Sequence, residues 1–80
     1  LRLAPLREMF DLETRDEKAA RARGWAIEAL VSREHVCARD AIVELNIPAE
    51  CVEAGFRLAA AGSGVTLRDV AGLGLVLRRD

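Results

Sequence analysis

Cysteine and histidine are scarce in this chain: its 80 residues hold two cysteines, Cys37 and Cys51, and one histidine, His35. Two thiols do not make a disulfide framework, and with one imidazole they cannot fill a four-ligand zinc site from this chain alone. They read as reduced structural thiols, because free cysteine is among the most buried residue types. The run "HVC" sets His35 beside Cys37 as a nucleophile with its base would be set. No acidic third member or oxyanion-forming glycine turn is recognisable nearby, so the pair does not support catalysis. A Gly-rich phosphate loop and a recognisable motif of paired catalytic carboxylates are missing too. The expectation is a non-enzymatic chain with no cofactor and no metal.

An excess of charge of one sign is also lacking. Twelve basic residues against thirteen acidic ones leave a net charge of −1, so the global balance points to neither a polyanion nor an anionic membrane as partner. No apolar run approaches the roughly 18 residues that span a bilayer, and no charged-then-apolar leader precedes a small-residue cleavage site. A soluble, cytoplasmic protein with no membrane partner is expected. The first residue is Leu1 rather than Met, which suggests a domain from a longer chain.

What the sequence does have is a globular composition, 51 % apolar and 31 % charged, with much of the apolar part alanine. At this length one small domain is the limit, with a core near the minimum for independent stability.

Pro5 suits a first helical position, and Leu6, Met9 and Phe10 recur behind it at helical spacing. A short helix from Pro5 to about Leu12 is expected. Thr14 followed by Glu17 is a capping-box pattern, so a second helix should run to about Val31, with Ala19, Ala22, Ala26, Ala29 and Leu30 as its apolar stripe. Trp25 and Ile27 flank that stripe. Gly24 either weakens this helix, by up to about 1 kcal/mol relative to alanine, or admits a close neighbour.

"SREHV" is a polar connector in which Val36 reads as a lone strand residue or as the apolar residue before the next helix. Ala38, Ala41, Ile42 and Leu45 then fall at i, i+3, i+4 and i+7, a short amphipathic helix. Asn46 tolerates the left-handed conformation that closes a helix, and Pro48 opens the next one. That helix should end near Ala61, before Gly62. Its expected inner stripe is Val52, Phe56 and Ala59, assisted by Cys51 and Leu58; Glu50, Glu53, Ala54, Arg57 and Ala61 share the outer face.

After Gly64 the period becomes two. "VTLRDV" and "LVLRRD" alternate as half-buried strands do, and "AGLG" between them suits a hairpin turn. Thr66 and Asp69 also satisfy a capping-box spacing, which leaves a helix from Leu67 as the rival. Gly72 and Gly74 inside that helix would together cost about 2 kcal/mol relative to alanine, and the valines prefer strands. An antiparallel hairpin is favoured.

The helix from Thr14, the helix "ARDAIVEL", the corner "NIP", the helix "AECVEAGFRLAAAG" and the ribbon "VTLRDVAGLGLVLRR" together resemble the winged helix-turn-helix superfamily over about residues 14 to 79. The resemblance is one of fold. The expected class is mainly α with a C-terminal β-hairpin, winged helix-turn-helix-like, with residues 1–13 as an N-terminal helical arm and 14–80 as the domain. It implies a recognition helix in the major groove and a wing on the backbone, and both surfaces should then be basic.

They are not uniformly so. From Ser32 to Ser63 three basic residues, Arg33, Arg39 and Arg57, stand against five acidic ones, Glu34, Asp40, Glu44, Glu50 and Glu53. Glu50 and Glu53 would meet phosphates as like charges. Glu53 also stands four residues before Arg57, the order that favours a helical ion pair of about 0.2 to 0.5 kcal/mol. The ribbon is slightly basic, with Arg68, Arg78 and Arg79 against Asp69 and Asp80.

The sequence therefore favours a module that contacts another protein or a second copy of itself, with Leu6, Met9, Phe10, Trp25 and Arg57 as contact candidates. The alternative is the double-stranded-DNA-binding domain of a transcription regulator. In that reading Arg57 reads bases, while Arg33, Arg39, Arg68 and Arg78 touch phosphates.

Overall fold

The computed structural model of the chain describes residues 13–62 and 64–80. The helix expected from Pro5 to about Leu12, with Leu6, Met9 and Phe10, lies outside the described residues. In chain order the elements are α1 (Arg15–Ser32), β1 (His35–Cys37), α2 (Ala38–Leu45), α3 (Ala49–Ala60), β2 (Val65–Val70) and β3 (Gly74–Arg79). Among the described residues three helices thus accompany a three-stranded antiparallel sheet of order β1-β3-β2. None of the described helices is long and apolar enough to cross a membrane.

The expected capping box starts α1: the Glu17 N–H donates to Thr14 Oγ1 at 3.0 Å, and the Thr14 N–H donates to Glu17 Oε1 at 3.2 Å. One face of the helix buries Ala19, Ala22, Ala26 and Leu30. Asn46 closes α2 in the left-handed region, at φ 54° and ψ 49°, as its short polar side chain permits. Ile47 is buried at the corner, and Pro48 caps α3.

α3 buries Cys51, Val52, Gly55, Phe56 and Ala59. The expected inner position of Leu58 is corrected, since that side chain is 50 % exposed. Its place is taken by Gly55, where the two long helices meet. A Cβ at Gly55 would press into the carbonyl oxygen of Ala19 and lie 2.6 Å from Ala22 Cβ and 2.9 Å from Arg23 N. Small residues on both sides let the backbones approach, and Phe56 and Val52 fill the space beside the crossing with no exposure. Burying side chains of this kind stabilises by about 1.5 to 3 kcal/mol each. Close approach is therefore a property of Gly55 and not of Gly24, where an added Cβ would meet no other part of the described residues within 4 Å.

The hairpin forms as favoured, and the rival helix from Leu67 does not. β2 and β3 pair from Val65↔Arg79 to Val70↔Gly74, and the Leu73 N–H donates to the Val70 carbonyl at 3.0 Å in the turn. Gly72 and Gly74 take positive φ there, 85° and 75°, which their lack of a Cβ allows. The expected ribbon of two strands is extended to three by His35–Cys37, which pairs along β3 with Val36 opposite Leu77. Among the described residues Val36, Leu77, Phe56 and Val52 are the largest fully buried side chains. The sheet thus closes the core that the helices open.

Candidate interaction surface

Trp25 stands on the side of α1 that faces α2. Its Nε1 donates to Glu44 Oε2 at 3.0 Å, and the half-buried ring packs against the core. Arg21 lies on the same side, donating to Glu13 Oε1 at 2.6 Å and to the Leu45 carbonyl at 3.4 Å. These contacts stitch α1 to α2 and tie Glu13 to that side. Trp25 therefore has an internal role before any external one.

The arginines divide among three places. In the sheet, side chains directly opposite one another share a face. His35, Arg78 and Thr66 therefore make one row of the outer face, and Cys37, Val76 and Arg68 the next. Arg68 and Arg78 are brought together there, both exposed. Arg79 is the next residue along β3 and belongs to the inner face. It reaches the end of α1, where Nη1 donates to the carbonyls of Leu30 at 2.9 Å and Val31 at 3.4 Å. The last turn of α1 has no basic residue of its own, so this guanidinium meets the unsatisfied carbonyls of the helix end.

Arg33 and Arg39 bracket β1. Arg33 is the C-cap of α1, its N–H donating to the Ala29 carbonyl at 3.0 Å. Its side chain lines a cleft of about 380 Å³ with His35, Cys37 and Asp40. Burial and the Asp40 carboxylate push the Cys37 thiol up, against a smaller opposing effect from Arg39. That direction holds the sulfur protonated, the reverse of what a nucleophile needs. Among the described residues no group of three or more His, Cys, Asp or Glu is placed to hold a metal ion.

Arg57 is exposed on α3. Among the described residues the ion pairs are Arg15–Glu50, at 3.4 Å, and Glu13–Arg21. The expected Glu53–Arg57 pair is not formed. Glu50 sits beside Arg15 with both side chains largely exposed, and Glu53 is half-buried. The outward side of α3 thus keeps the acidic character read from its spacing. At the far end of the hairpin the tip is apolar: Val70 is 36 % and Leu73 41 % exposed, and no basic residue occurs from Val70 to Leu75.

One surface escaped the sequence reading. A groove of about 450 Å³ runs between the second half of α1, the end of α3 and the start of β2, lined by Arg23, Ile27, Val31, Ala59, Val65 and Arg79 among others. Ile27 and Val31 are 45 % and 77 % exposed. The signal was available in the spacing of Arg23, Ile27 and Val31, four residues apart along one side of a helix. It was masked by the stronger alanine stripe on the neighbouring face. No family model, curated protein or solved structure matches the chain.

Proposed function

We propose that this chain is a winged-helix-like, non-enzymatic module that contacts another protein or a second copy of itself. What carries the reading is the hairpin tip. Where a wing that grips DNA presents cations to phosphates, this one presents Val70 and Leu73 to solvent, and apolar surface gains by leaving water for another apolar surface. The acidic outward side of α3, with Glu50 and Glu53, acts in the same direction, because phosphate neutralisation is the main source of DNA affinity. Arg79, counted as a ribbon cation in the sequence, is directed to the end of α1.

A second reading draws on one observation. Arg68 and Arg78 share the outer sheet face, with His35 in register beside Arg78. In a DNA-binding domain these two, with Arg33 and Arg39, would touch phosphates and Arg57 would read a base, two such heads adding in a dimer.

A gel-mobility titration with random-sequence duplex at low and at moderate salt separates the readings. The protein-contact module leaves the duplex unshifted even at low salt. Binding that weakens steeply with salt, and disappears on combining Arg57→Ala with Arg68→Ala, overturns it.

A further inference from the structure

We infer that the outer edge of β2 pairs antiparallel with the same edge of a second copy of the chain, so that two sheets join across a two-fold axis at Leu67. The inference rests on the protein-contact reading and names its partner.

The hydrogen bonds of β3 fix which way the backbone of β2 is turned. The Asp80 N–H donates to the Gly64 carbonyl at 2.9 Å, while the Arg79 N–H donates to the opposite side, to the Glu34 carbonyl at 2.8 Å. Successive residues of an antiparallel strand bond alternately to its two sides. Thr66 and Arg68, paired with Arg78 and Val76, therefore bond to β3, and Val65, Leu67 and Asp69 direct their N–H and C=O groups outward. β2 is the last strand of the sheet, and among the described residues no strand lies beyond it.

Such a row of backbone groups is a template for another chain unless it is blunted. β2 holds no proline and no lysine, and its register with β3 runs unbroken from Val65 to Val70. The opposite edge, β1, is three residues long. Pairing of β1 with β2 would continue head to tail, whereas β2 on β2 closes after two copies.

The residues of β2 complement themselves in this arrangement. With Leu67 opposite Leu67 of the second copy, Thr66 stands opposite its Arg68 and Val65 opposite its Asp69. Sliding the strands by two residues toward the tip would instead set Arg68 against Arg68, a like-charge pair. Leu67 is half-buried and packed against the core, so the pairing takes more of its apolar surface out of water.

A carboxylate waits where the second copy's Arg68 arrives. Thr66 Oγ1 donates to Asp80 Oδ1 at 2.6 Å, which holds that carboxylate beside Thr66 on the outer face. Side chains directly opposite one another have Cβ atoms about 4.5 to 5.5 Å apart. The guanidinium of the second copy's Arg68 therefore meets Asp80. Arg68 is exposed and forms no ion pair among the described residues. Arg78 lies in the same row but one strand further off, beyond Thr66. The two-fold axis makes the Arg68–Asp80 contact twice.

The test is sedimentation equilibrium of the 80-residue chain over a concentration series, with amide exchange followed by NMR. The wild-type chain is expected to dimerise, and the amides of Leu67 and Asp69 should become protected as it does. Asp69→Pro removes an outward N–H and no bond to β3, so it should raise the dimer dissociation constant roughly tenfold or more. Arg68→Asp and Asp80→Arg, each checked for an unchanged thermal melt, should weaken the dimer in the same way, because each sets like charges together. An equimolar mixture of these two should recover a heterodimer, because opposite charges then meet at both contacts. A monomer at every concentration, a dimer indifferent to Asp69→Pro or without protection at Leu67, or charge variants that do not combine would each overturn the inference. A monomer that leaves duplex DNA unbound fails only the edge pairing, whereas salt-sensitive duplex binding fails the protein-contact reading itself.

Discussion

A Cβ at Gly55 has no space, because the backbone of Ala19 and Arg23 and the methyl of Ala22 already occupy it, while a Cβ at Gly24 meets no other part of the described residues within 4 Å. Gly55→Ala should therefore destabilise the fold by about 1 to 3 kcal/mol or more, since a rigid helix backbone has to shift. Gly24→Ala should stabilise by about 0.5 to 1 kcal/mol through helix propensity alone. Midpoints of urea unfolding check both, and equal effects of the two changes would contradict the crossing at Gly55. Cys37 offers a pH test. Its folded thiol is pushed above the ordinary value, chiefly by burial, so on raising the pH the unfolded chain gives up that proton first. Its contribution to stability is complete below about pH 8.5, the usual thiol range, and is lost as the pH rises through the folded value. Cys37→Ala should therefore show a shallower alkaline decline in unfolding midpoint than the wild type. The sequence marks Gly24 and both cysteines as notable and gives no sign of Gly55, because which glycine is crowded depends on a crossing between helices some thirty residues apart in the chain. Composition and spacing do not encode such a crossing.

At the scale of elements, the local signals were readable because each is short in range. The capping box of Thr14 and Glu17, the left-handed Asn46 and the glycines of the hairpin turn all act through neighbours within four residues, and all appear in the structure. β1 was less legible. Three residues are too few to display a period of two, and their partners on β3 lie some forty residues later. Leu58 was assigned inward because a wide apolar face was assumed; the narrow contact at Gly55 turns it out. The end of α1 was likewise hidden, because the cation that meets its carbonyls is Arg79, 49 residues from Leu30. Arg79→Met should remove a charge-assisted bond at a helix terminus and destabilise by about 1 to 3 kcal/mol. Amide exchange should rise most in the last turn of α1. A change confined to the hairpin, with α1 unaffected, would contradict this capping role.

Over the whole molecule, the net charge of −1 conceals a division of surfaces. The outer sheet face gathers Arg68 and Arg78 in rows with His35 and Thr66. The outward side of α3 carries Glu50 and Glu53, and the hairpin tip and the α1 groove are apolar. The helix-corner-helix order and the hairpin were legible in the sequence. The groove was not, because it is made jointly by α1, α3 and β2 and exists only once they pack. These surfaces bear on one central question, whether the partner is a protein or a nucleic acid. Sedimentation velocity of the chain mixed with labelled random-sequence duplex at low salt addresses it in one run. The protein-contact reading predicts that the duplex sediments at its own free rate, with no protein travelling with it. Duplex that co-sediments with the protein, and is released as salt is added, would contradict it.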